Sequence, residues 1–207
     1  MPKKIELPIS EAAIRELRIG DEVEISGEMV LGRDAAHKHL VKTFDTEFER
    51  LARDRFLYHC GPVVQKQADG NYRFVAAGPT TSIREEPYEA QVIEQYGVRG
   101  VIGKGGMGPR TLAALRKHGC VYIHAIGGLA VVLAQKVVKV NGVHMLEQLG
   151  VPEAMWQIEV KDFPSVITMD SHGDSLHEKM FSESREAALK LMEQGVRGAP
   201  SKALKVV

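Results

Sequence analysis

Apolar and β-branched stretches in this chain repeatedly run into a glycine- or hydroxyl-rich turn that is followed by an amphipathic segment. The first such stretch, Glu22–Leu31, alternates enough to predict a half-buried strand. A turn at residues 32–34 follows, and a helix is predicted from residue 35 to about 53, with Asp34 as its N-cap. Apolar side chains recur at helical spacing along that helix: Leu40, Val41, Phe44, Phe48 and Leu51.

The same order of elements recurs twice further along the chain. Residues 72–77 predict a strand, residues 78–84 a turn, and the next segment a helix that begins near residues 85–87 and ends at Gly97. Residues 98–102 predict another strand, which enters a glycine-rich turn before a helix at Pro109–His118 that Gly119 closes. Strands that feed helices in this way are typical of an α/β fold built around a central sheet.

The rest of the chain continues this plan. The further predicted elements are a buried strand at 120–123, an apolar helix opened by Gly127 and Gly128, strands at 156–160 and 165–169, and a final helix from about 176 to 194. The sequence shows no interdomain linker and no repeat at a fixed period. We therefore predict one domain over residues 1–195 and a loosely held C-terminal tail over residues 196–207.

Charge and composition narrow the class of function. The 207 residues carry 27 basic and 27 acidic side chains, so the formal net charge is zero and the chain lacks the basic excess that nucleic-acid binders need. Two early lysines are not followed by an apolar stretch, so no signal peptide is predicted. The longest uncharged run, residues 118–135, contains glycines and a histidine and does not suit a membrane span. A cytoplasmic protein that contacts neither membrane nor nucleic acid is expected.

Cysteines and histidines give no signal for a metal site. Cys60 and Cys120 lack CxxC spacing, and two thiols cannot hold a zinc ion or an iron–sulfur cluster in the usual way. His37 and His39 point to opposite sides of a predicted helix, which favours helix surface. The segment from Asp170 to Asp174 lacks the later ligands of a calcium loop and is interpreted as a turn.

The three strand-to-helix turns carry the candidate chemistry, since ligands of open α/β sheets bind beyond the carboxyl ends of strands. The turns supply Arg33 and Asp34, then Thr80, Thr81, Ser82 and Arg84, and then Lys104 among four glycines. Cations, hydroxyls and free backbone N–H groups at helix N-termini make an anion site, and two or three separate cations suit a substrate with two carboxylates. The alternative is that the arginines form surface ion pairs and that the threonines cap a helix.

The glycine-rich turn also satisfies the G-x-G-x-x-G pattern of a dinucleotide site. The carboxylate expected about 20 residues further on is missing, because no Asp or Glu occurs between Gly103 and Glu147. Lys104 precedes most of the glycines and no Ser or Thr follows it, so the turn is not a phosphate-binding loop either. Glycines such as Gly105 instead suit a turn where the backbone approaches a ligand closely, although a plain tight turn with a solvated lysine is the alternative.

Taken in order, these motifs resemble the C-terminal domain of class I fumarases over nearly the whole chain except about the first twenty residues and the tail. The matching blocks are Leu31-Gly-Arg-Asp-Ala-Ala-His37, Tyr58-His-Cys-Gly-Pro62, Ala77-Gly-Pro-Thr-Thr-Ser-Ile-Arg84, Gly103-Lys-Gly-Gly-Met107, Ile126-Gly-Gly128, Trp156 to Pro164, and Met169-Asp-Ser-His-Gly173. The Gly-Pro-Thr-Thr and Gly-Lys-Gly-Gly-Met blocks are specific as a pair. Tartrate dehydratase shares this architecture, so the resemblance indicates the chemistry better than the substrate.

The resemblance implies a swivelling β/β/α domain that, in two-subunit members, is a separate β chain. Its partner is an α chain that carries an oxygen-sensitive 4Fe-4S cluster, and we expect a hetero-oligomer, a dimer of α–β pairs, in which this chain ligates no metal. The implied reaction interconverts (S)-malate and fumarate, with L-tartrate dehydration as the alternative enzymatic activity and a non-enzymatic small-anion-binding module as a third reading.

The resemblance also assigns roles to residues of the turns. It places Arg33, Thr80, Arg84 and Lys104 at the substrate site, with Thr80 as the matching candidate for the catalytic base and Thr81 as the adjacent alternative. Thr81 and Gly105 are included as substrate contacts. A threonine hydroxyl is a poor base unless its pKa falls, so Arg84 and Asp34 are predicted to tune Thr80 electrostatically.

Overall fold

The computed structural model describes residues 1–198, with a seven-stranded sheet and a separate two-stranded sheet. The strands are β1 Lys3–Leu7, β2 Glu22–Leu31, β3 Phe56–Tyr58, β4 Val63–Lys66, β5 Tyr72–Ala76, β6 Gly100–Gly103, β7 Val121–His124, β8 Val137–His144 and β9 Met155–Met169. The helices are α1 Glu11–Ile14, α2 Asp34–Lys42, α3 Thr46–Ala52, α4 Glu89–Tyr96, α5 Pro109–His118, α6 Ala130–Gln135, α7 Leu146–Leu149 and α8 Leu176–Gly198, with a 3₁₀ turn at Ser82–Glu85. This is the α/β class that the sequence predicts.

The large sheet closes on itself. Its order is β1-β2-β3-β6-β7-β9-β8, and β9 also pairs with β2, so that β2, β3, β6, β7 and β9 form a ring. Strands β1, β2, β3, β6 and β7 are mutually parallel, whereas the long β9 runs antiparallel to β2, β7 and β8. Since parallel strands point the same way, the carboxyl ends of β2, β3, β6 and β7 lie at one edge of the sheet.

Two apolar clusters fix this arrangement. Side chains that alternate along β2, β3, β6 and β7 divide between them, as alternate residues of a strand face opposite sides of its sheet. One cluster packs Trp156, Tyr58 and Phe163 together with β1, α1 and α6. The other packs helices α2 to α5 against the sheet around Tyr96 and Tyr122. Helices α2, α4 and α5, which follow the candidate turns, are therefore packed against the main sheet.

Several predicted elements are confirmed. Strand β2 and helix α5 have the predicted bounds, and Gly97 and Gly119 end their helices in the left-handed conformation. Cys60, Met155 and Trp156 are buried in the core, and the segment from Asp170 to Asp174 is a turn closed by hydrogen bonds to the Asp170 carboxylate.

Other predictions are wrong in detail. The helix predicted over residues 35–53 is two helices, because Asp45 starts α3 by accepting from the Phe48 backbone N–H. The helix predicted from residues 85–87 is a 3₁₀ turn followed by α4, and the two late strands are the single strand β9. The strand at 72–77 belongs to a hairpin of β4 and β5 outside the main sheet.

Further strands were not predicted at all: β1, β3, β4 and β8. The single domain over 1–195 and its tail remain predictions. Of the predicted tail, residues 199–207 lie outside the described residues, while α8 runs to Gly198.

Candidate functional site

The three candidate turns meet at the carboxyl edge of the parallel strands. The first turn leaves β2 at Leu31, and the third leaves β6 at Gly103. The second turn comes from the β4–β5 hairpin, yet it is held at this edge by isolated bridges from Pro79 to Cys60 and from Thr81 to Lys104. The structure thus brings the turns together by a route that the strand-to-helix pattern did not foresee.

Asp34 connects the two arginines of the site. Its Oδ2 accepts from Arg33 Nε at 3.2 Å and from Arg84 NH2 at 2.8 Å. Burial works against the charged carboxylate, but the two guanidinium groups outweigh this and lower the pKa of Asp34. Asp34 was predicted as the N-cap of α2, but Arg33 occupies that position and Asp34 is the first helical residue. Its side chain orients arginines instead.

Backbone hydrogen bonds fix the second turn against the third. The Lys104 N–H donates to Thr80 O at 3.2 Å, the Ser82 N–H donates to Lys104 O at 3.0 Å, and the Thr80 N–H donates to His59 O at 2.6 Å. Thr80 is half-buried, whereas Thr81 is exposed, so Thr80 is the more enclosed of the two hydroxyl candidates. Among the described residues Lys104 has no acidic partner within ion-pair distance.

The helix N-termini beside the site are already capped, contrary to the expectation that their N–H groups are free. Glu153 accepts from the Ala35 N–H at 2.8 Å and also pairs with Arg33 Nε at 2.8 Å. Glu86 caps α5 by accepting from the N–H groups of Gly108 and Thr111. Carboxylates from distant parts of the chain occupy these donors, so the anion-binding capacity of the site rests on side-chain cations.

A buried polar chain lies directly beneath the turns. His37 and His59 each place Nε2 next to Glu89 Oε2, at 3.0 and 2.9 Å, and all three side chains are fully buried. His37 Nδ1 faces Arg33 O at 3.0 Å, and His59 Nδ1 faces Ser82 Oγ at 3.0 Å. The prediction that the histidines are surface groups is therefore wrong for His37.

The hydrogen-bond partners of His37, Glu89 and His59 determine which of these side chains carry protons. His37 faces a carbonyl and a carboxylate, so both of its ring nitrogens must donate, which makes it an imidazolium. Burial opposes that charge, but the Glu89 carboxylate outweighs it and raises the pKa of His37 to about 9. Burial also works against the ionised Glu89, but the two imidazoles lower the pKa of that carboxyl to about 2. Burial lowers the pKa of His59, which donates through Nε2 and accepts from Ser82.

The sequence did not predict the buried group of His37, His59 and Glu89, and the reasons can be named. His59 stands in a block that the family resemblance uses, but β3, the short strand before it, was not predicted. Glu89 lies in the first turn of α4, where an acidic residue reads as an ordinary helix start. Nothing in the sequence indicates that two histidines 22 positions apart share one carboxylate oxygen.

By residue type, His37, His59 and Glu89 could also hold a metal ion, since their ligand atoms lie within 4.8 Å of one another. The hydrogen bonds already account for that geometry, because both nitrogens point at one oxygen at ordinary hydrogen-bond distance. The two cysteines are free and buried, and burial raises the pKa of the Cys60 thiol to about 12. Such thiols do not fit the ligand set of an iron–sulfur cluster, which needs accessible thiolates.

A surface cavity of about 660 Å³ lies between α4 and α5 and contains none of the six residues predicted to contact substrate. No helix among the described residues is both long and apolar enough to cross a membrane.

Comparison with known proteins agrees with these motifs. The family model for the fumarase C-terminus matches residues 2–180. A protein of Geobacillus stearothermophilus, provisionally named fumarate hydratase class I, is 51% identical over 182 residues, which cover 88% of this chain and 35% of that protein. The L(+)-tartrate dehydratase β subunits of Escherichia coli K12 and of Shigella flexneri are each 36% identical over 190 residues, which cover 90% of this chain and 93% of each relative.

The chain therefore spans about a third of the first relative but nearly the full length of the tartrate dehydratase β subunits. A family match over residues 2–180, together with relatives above 30% identity, places the chain in a known family. The chain belongs to the fumarase C-terminus family, which it shares with class I fumarate hydratase and the tartrate dehydratase β subunit.

Proposed function

We propose that this chain is the β subunit of an iron–sulfur-dependent hydro-lyase that interconverts (S)-malate and fumarate. In this proposal it binds the dicarboxylate and supplies the catalytic base. The observation that carries the proposal is the meeting of Arg33, Arg84, Thr80 and Lys104 on three turns at one edge of the sheet. Family membership supports the chemistry of a hydro-lyase.

The cations suit a substrate with two carboxylates. Arg33 and Arg84 each use one side of the guanidinium group on Asp34, and a guanidinium group can still present other N–H groups to a carboxylate. Lys104 adds an ammonium group that has no acidic partner among the described residues. The side chains of Arg33, Arg84 and Lys104 outnumber Asp34 and Glu153, so the site has a positive excess that favours a dianion.

Thr80 is our candidate for the base. Both of its backbone hydrogen-bonding groups are engaged, one by His59 and one by Lys104, so its position is fixed while its hydroxyl remains for chemistry. Removal of a proton from the carbon next to a carboxylate increases negative charge on that carboxylate, which the cations stabilise. The same cations favour the deprotonated hydroxyl of Thr80. In this proposal Arg84 and Asp34 together determine how strongly that deprotonated form is favoured.

The partner in this proposal is an α subunit that carries the 4Fe-4S cluster. Cys60 and Cys120 are too deeply buried to ligate it, and the cluster would supply Lewis-acid chemistry from the partner's side. The relatives named L(+)-tartrate dehydratase subunit β support a two-subunit enzyme in which a chain of this family pairs with another subunit. We expect a dimer of α–β pairs in the cytoplasm, where buried thiols stay reduced.

A second candidate substrate is L-tartrate. The relatives that match this chain over nearly their whole length are named L(+)-tartrate dehydratase subunit β, whereas the relative of higher identity carries a fumarate hydratase name. Both substrates are four-carbon dicarboxylates that differ in hydroxyl groups, so the same cations would bind either one.

The test is to assemble this chain anaerobically with its α subunit and to measure turnover of malate, fumarate and L-tartrate. Malate and fumarate turnover with little activity on tartrate is expected. Preferred tartrate turnover would transfer the proposal to tartrate dehydratase. A chain that binds dicarboxylates as a monomer, and forms no complex with a cluster-bearing partner, would contradict both and favour an anion-binding module.

A further inference from the structure

The buried polar chain joins the candidate turns to one another. At one end, His37 Nδ1–H donates to the backbone carbonyl of Arg33 at 3.0 Å. At the other end, His59 accepts from Ser82, whose backbone N–H donates to Lys104. Glu89 Oε2 connects the two imidazoles between these ends. One continuous path of hydrogen bonds therefore runs from the first turn to the second and third.

We propose that His37, Glu89 and His59 are positioning residues that set the separation between Arg33 and the Thr80–Lys104 side of the site. This inference rests on the proposed function. None of the three side chains reaches the surface, so they act through the turns that they hold and not by touching substrate. His59, which directly follows β3, and Glu89, in the first turn of α4, lie outside the three turns that carry the candidate site.

The hydrogen bonds, together with the lowered pKa of His59, support one arrangement of protons on His37, Glu89 and His59. Tyr122 OH donates to Ser82 Oγ at 2.9 Å, so the Ser82 hydroxyl proton is free to donate to His59 Nδ1. His59 then carries its proton on Nε2 and donates to Glu89. Because each donor has one acceptor, a shift of any member displaces its neighbours, which is the property that a positioning device needs.

Stability alone does not explain a charged pair in this place. Replacing a buried ion pair by well-packed apolar side chains of similar volume is often neutral or stabilising, so such a pair is weak evidence for a purely stabilising role. Glu89 Oε1 has no hydrogen-bond partner and adds to the penalty. A costly ion pair placed directly beneath the candidate site is better explained by the geometry that it imposes.

The close packing around Ser82 leaves the second turn little room to move. An added Cβ at Gly103 would overlap Ser82 Oγ, so only glycine lets the second turn lie against the end of β6. Ser82 itself is fully buried. The second turn is thus held from below by His59 and Tyr122 and from the side by β6.

The test compares Glu89→Gln with a matched control on the same helix. Tyr96→Phe removes a buried hydroxyl of α4 that donates to Leu40 O at 2.9 Å, away from the turns. The α–β pair is assembled with each variant, and KM and kcat are measured at matched folded fractions. We expect kcat/KM to fall at least tenfold in Glu89→Gln, with a raised KM, and to stay within twofold in Tyr96→Phe. A purely structural role lowers the active fraction without moving KM.

A second readout does not depend on turnover. Nitrogen-15 spectra of the histidine rings in the full chain should show His37 with two N–H groups and His59 protonated at Nε2. Glu89→Gln should shift the backbone amide signals of Arg33, Thr80 and Lys104, whereas Tyr96→Phe should leave them in place. If the wild-type pair turns over none of the three substrates, the proposed function fails, but these spectra still decide the positioning role.

Ser82→Ala covers the case in which Glu89→Gln does not fold. This variant cuts the link between His59 and the second turn and leaves the His37–Glu89 pair intact. It should move the Thr80 and Lys104 signals and leave that of Arg33 unchanged. Unchanged signals at all three positions, or kinetics of Glu89→Gln within twofold of wild type, would overturn the proposal.

Discussion

Asp34 and Arg84 are fifty positions apart, yet Asp34 Oδ2 accepts a hydrogen bond from Arg84 NH2 at 2.8 Å. The same oxygen accepts from Arg33, so one carboxylate fixes the distance between two guanidinium groups on separate turns. Two exposed arginines without such a bridge would repel each other and lose side-chain freedom on binding a substrate. Preorganised cations avoid part of that cost when a dicarboxylate binds.

Asp34→Asn should weaken the dicarboxylate site without harming the fold. The amide can accept from one arginine but carries no charge to hold both, so Arg33 and Arg84 should separate. We expect kcat/KM of the assembled pair to fall about tenfold or more. The matched control is Glu47→Gln, which breaks the exposed Glu47–Arg50 pair at 2.7 Å on α3. Equal kinetics for both variants would show that Asp34 is only a surface partner.

Thr80→Ala should abolish most turnover, because it removes the proposed base while its backbone hydrogen bonds to His59 and Lys104 persist. A loss of two to four orders of magnitude in kcat is typical of removing a general base. Thr81→Ala, on the exposed neighbour that is the alternative base, is the comparison and should lose much less activity. Binding to the α subunit, measured by gel filtration, should be unaffected in both. Turnover like that of wild type in Thr80→Ala, or a greater loss in Thr81→Ala, would contradict the assignment.

Local sequence signals predicted the parts of this site that stand next to one another in the chain. Turn residues follow directly after strands, so Arg33 and Lys104 could be placed at the ends of β2 and β6. The helix after Lys104 was predicted with its observed bounds because Pro109 and Gly119 mark its two ends. These signals depend on neighbours within a few positions.

Long-range contacts could not be predicted in the same way. The capping of α2 by Glu153 spans 118 positions, and the sharing of Glu89 by His37 and His59 depends on a three-residue strand with no periodic pattern. Residues 72–77 were predicted as a strand of the main sheet. A strand of a separate hairpin has the same alternation of apolar and polar residues, so the sequence pattern does not distinguish the two. Tertiary context, and not local propensity, decides these features.

Gly103→Ala should displace the second turn. The new methyl group would overlap Ser82 Oγ and lie 3.1 Å from Tyr122 Oη, and both groups are buried in the polar chain. Overpacking of this kind costs about 1–3 kcal/mol and occasionally more. The matched control is Gly142→Ala in β8, where the nearest atom, Gln157 Oε1, is 3.8 Å away. Urea denaturation measures both, and a loss for Gly103→Ala no larger than for Gly142→Ala would count against the tight fit.

Glu85 gives the fold a pH dependence that is coupled to His37, whose Nδ1 lies 3.8 Å from Glu85 Oε2. Its carboxyl group is fully buried, neither oxygen has a hydrogen-bond partner, and burial raises its pKa to about 7. The protonated form is therefore favoured in the folded state, and the stability it contributes is present below pH 4.5 and is lost as the pH rises through 7. His37, with its pKa raised from 6.5 to about 9, loses its own contribution between those two values.

Glu85→Gln should become more stable than wild type as the pH rises, because glutamine reproduces the protonated carboxyl and cannot ionise. The two proteins should unfold at similar urea concentrations near pH 4.5. The variant should gain roughly 1–3 kcal/mol between pH 4.5 and 8, and its loss toward pH 9 should end at a lower pH than in wild type, because the Glu85 carboxylate helps to raise the pKa of His37. The control is Glu186→Gln on the exposed face of α8, which should follow wild type throughout. A constant difference between Glu85→Gln and wild type across this range would mean that Glu85 ionises alike in the folded and unfolded chains.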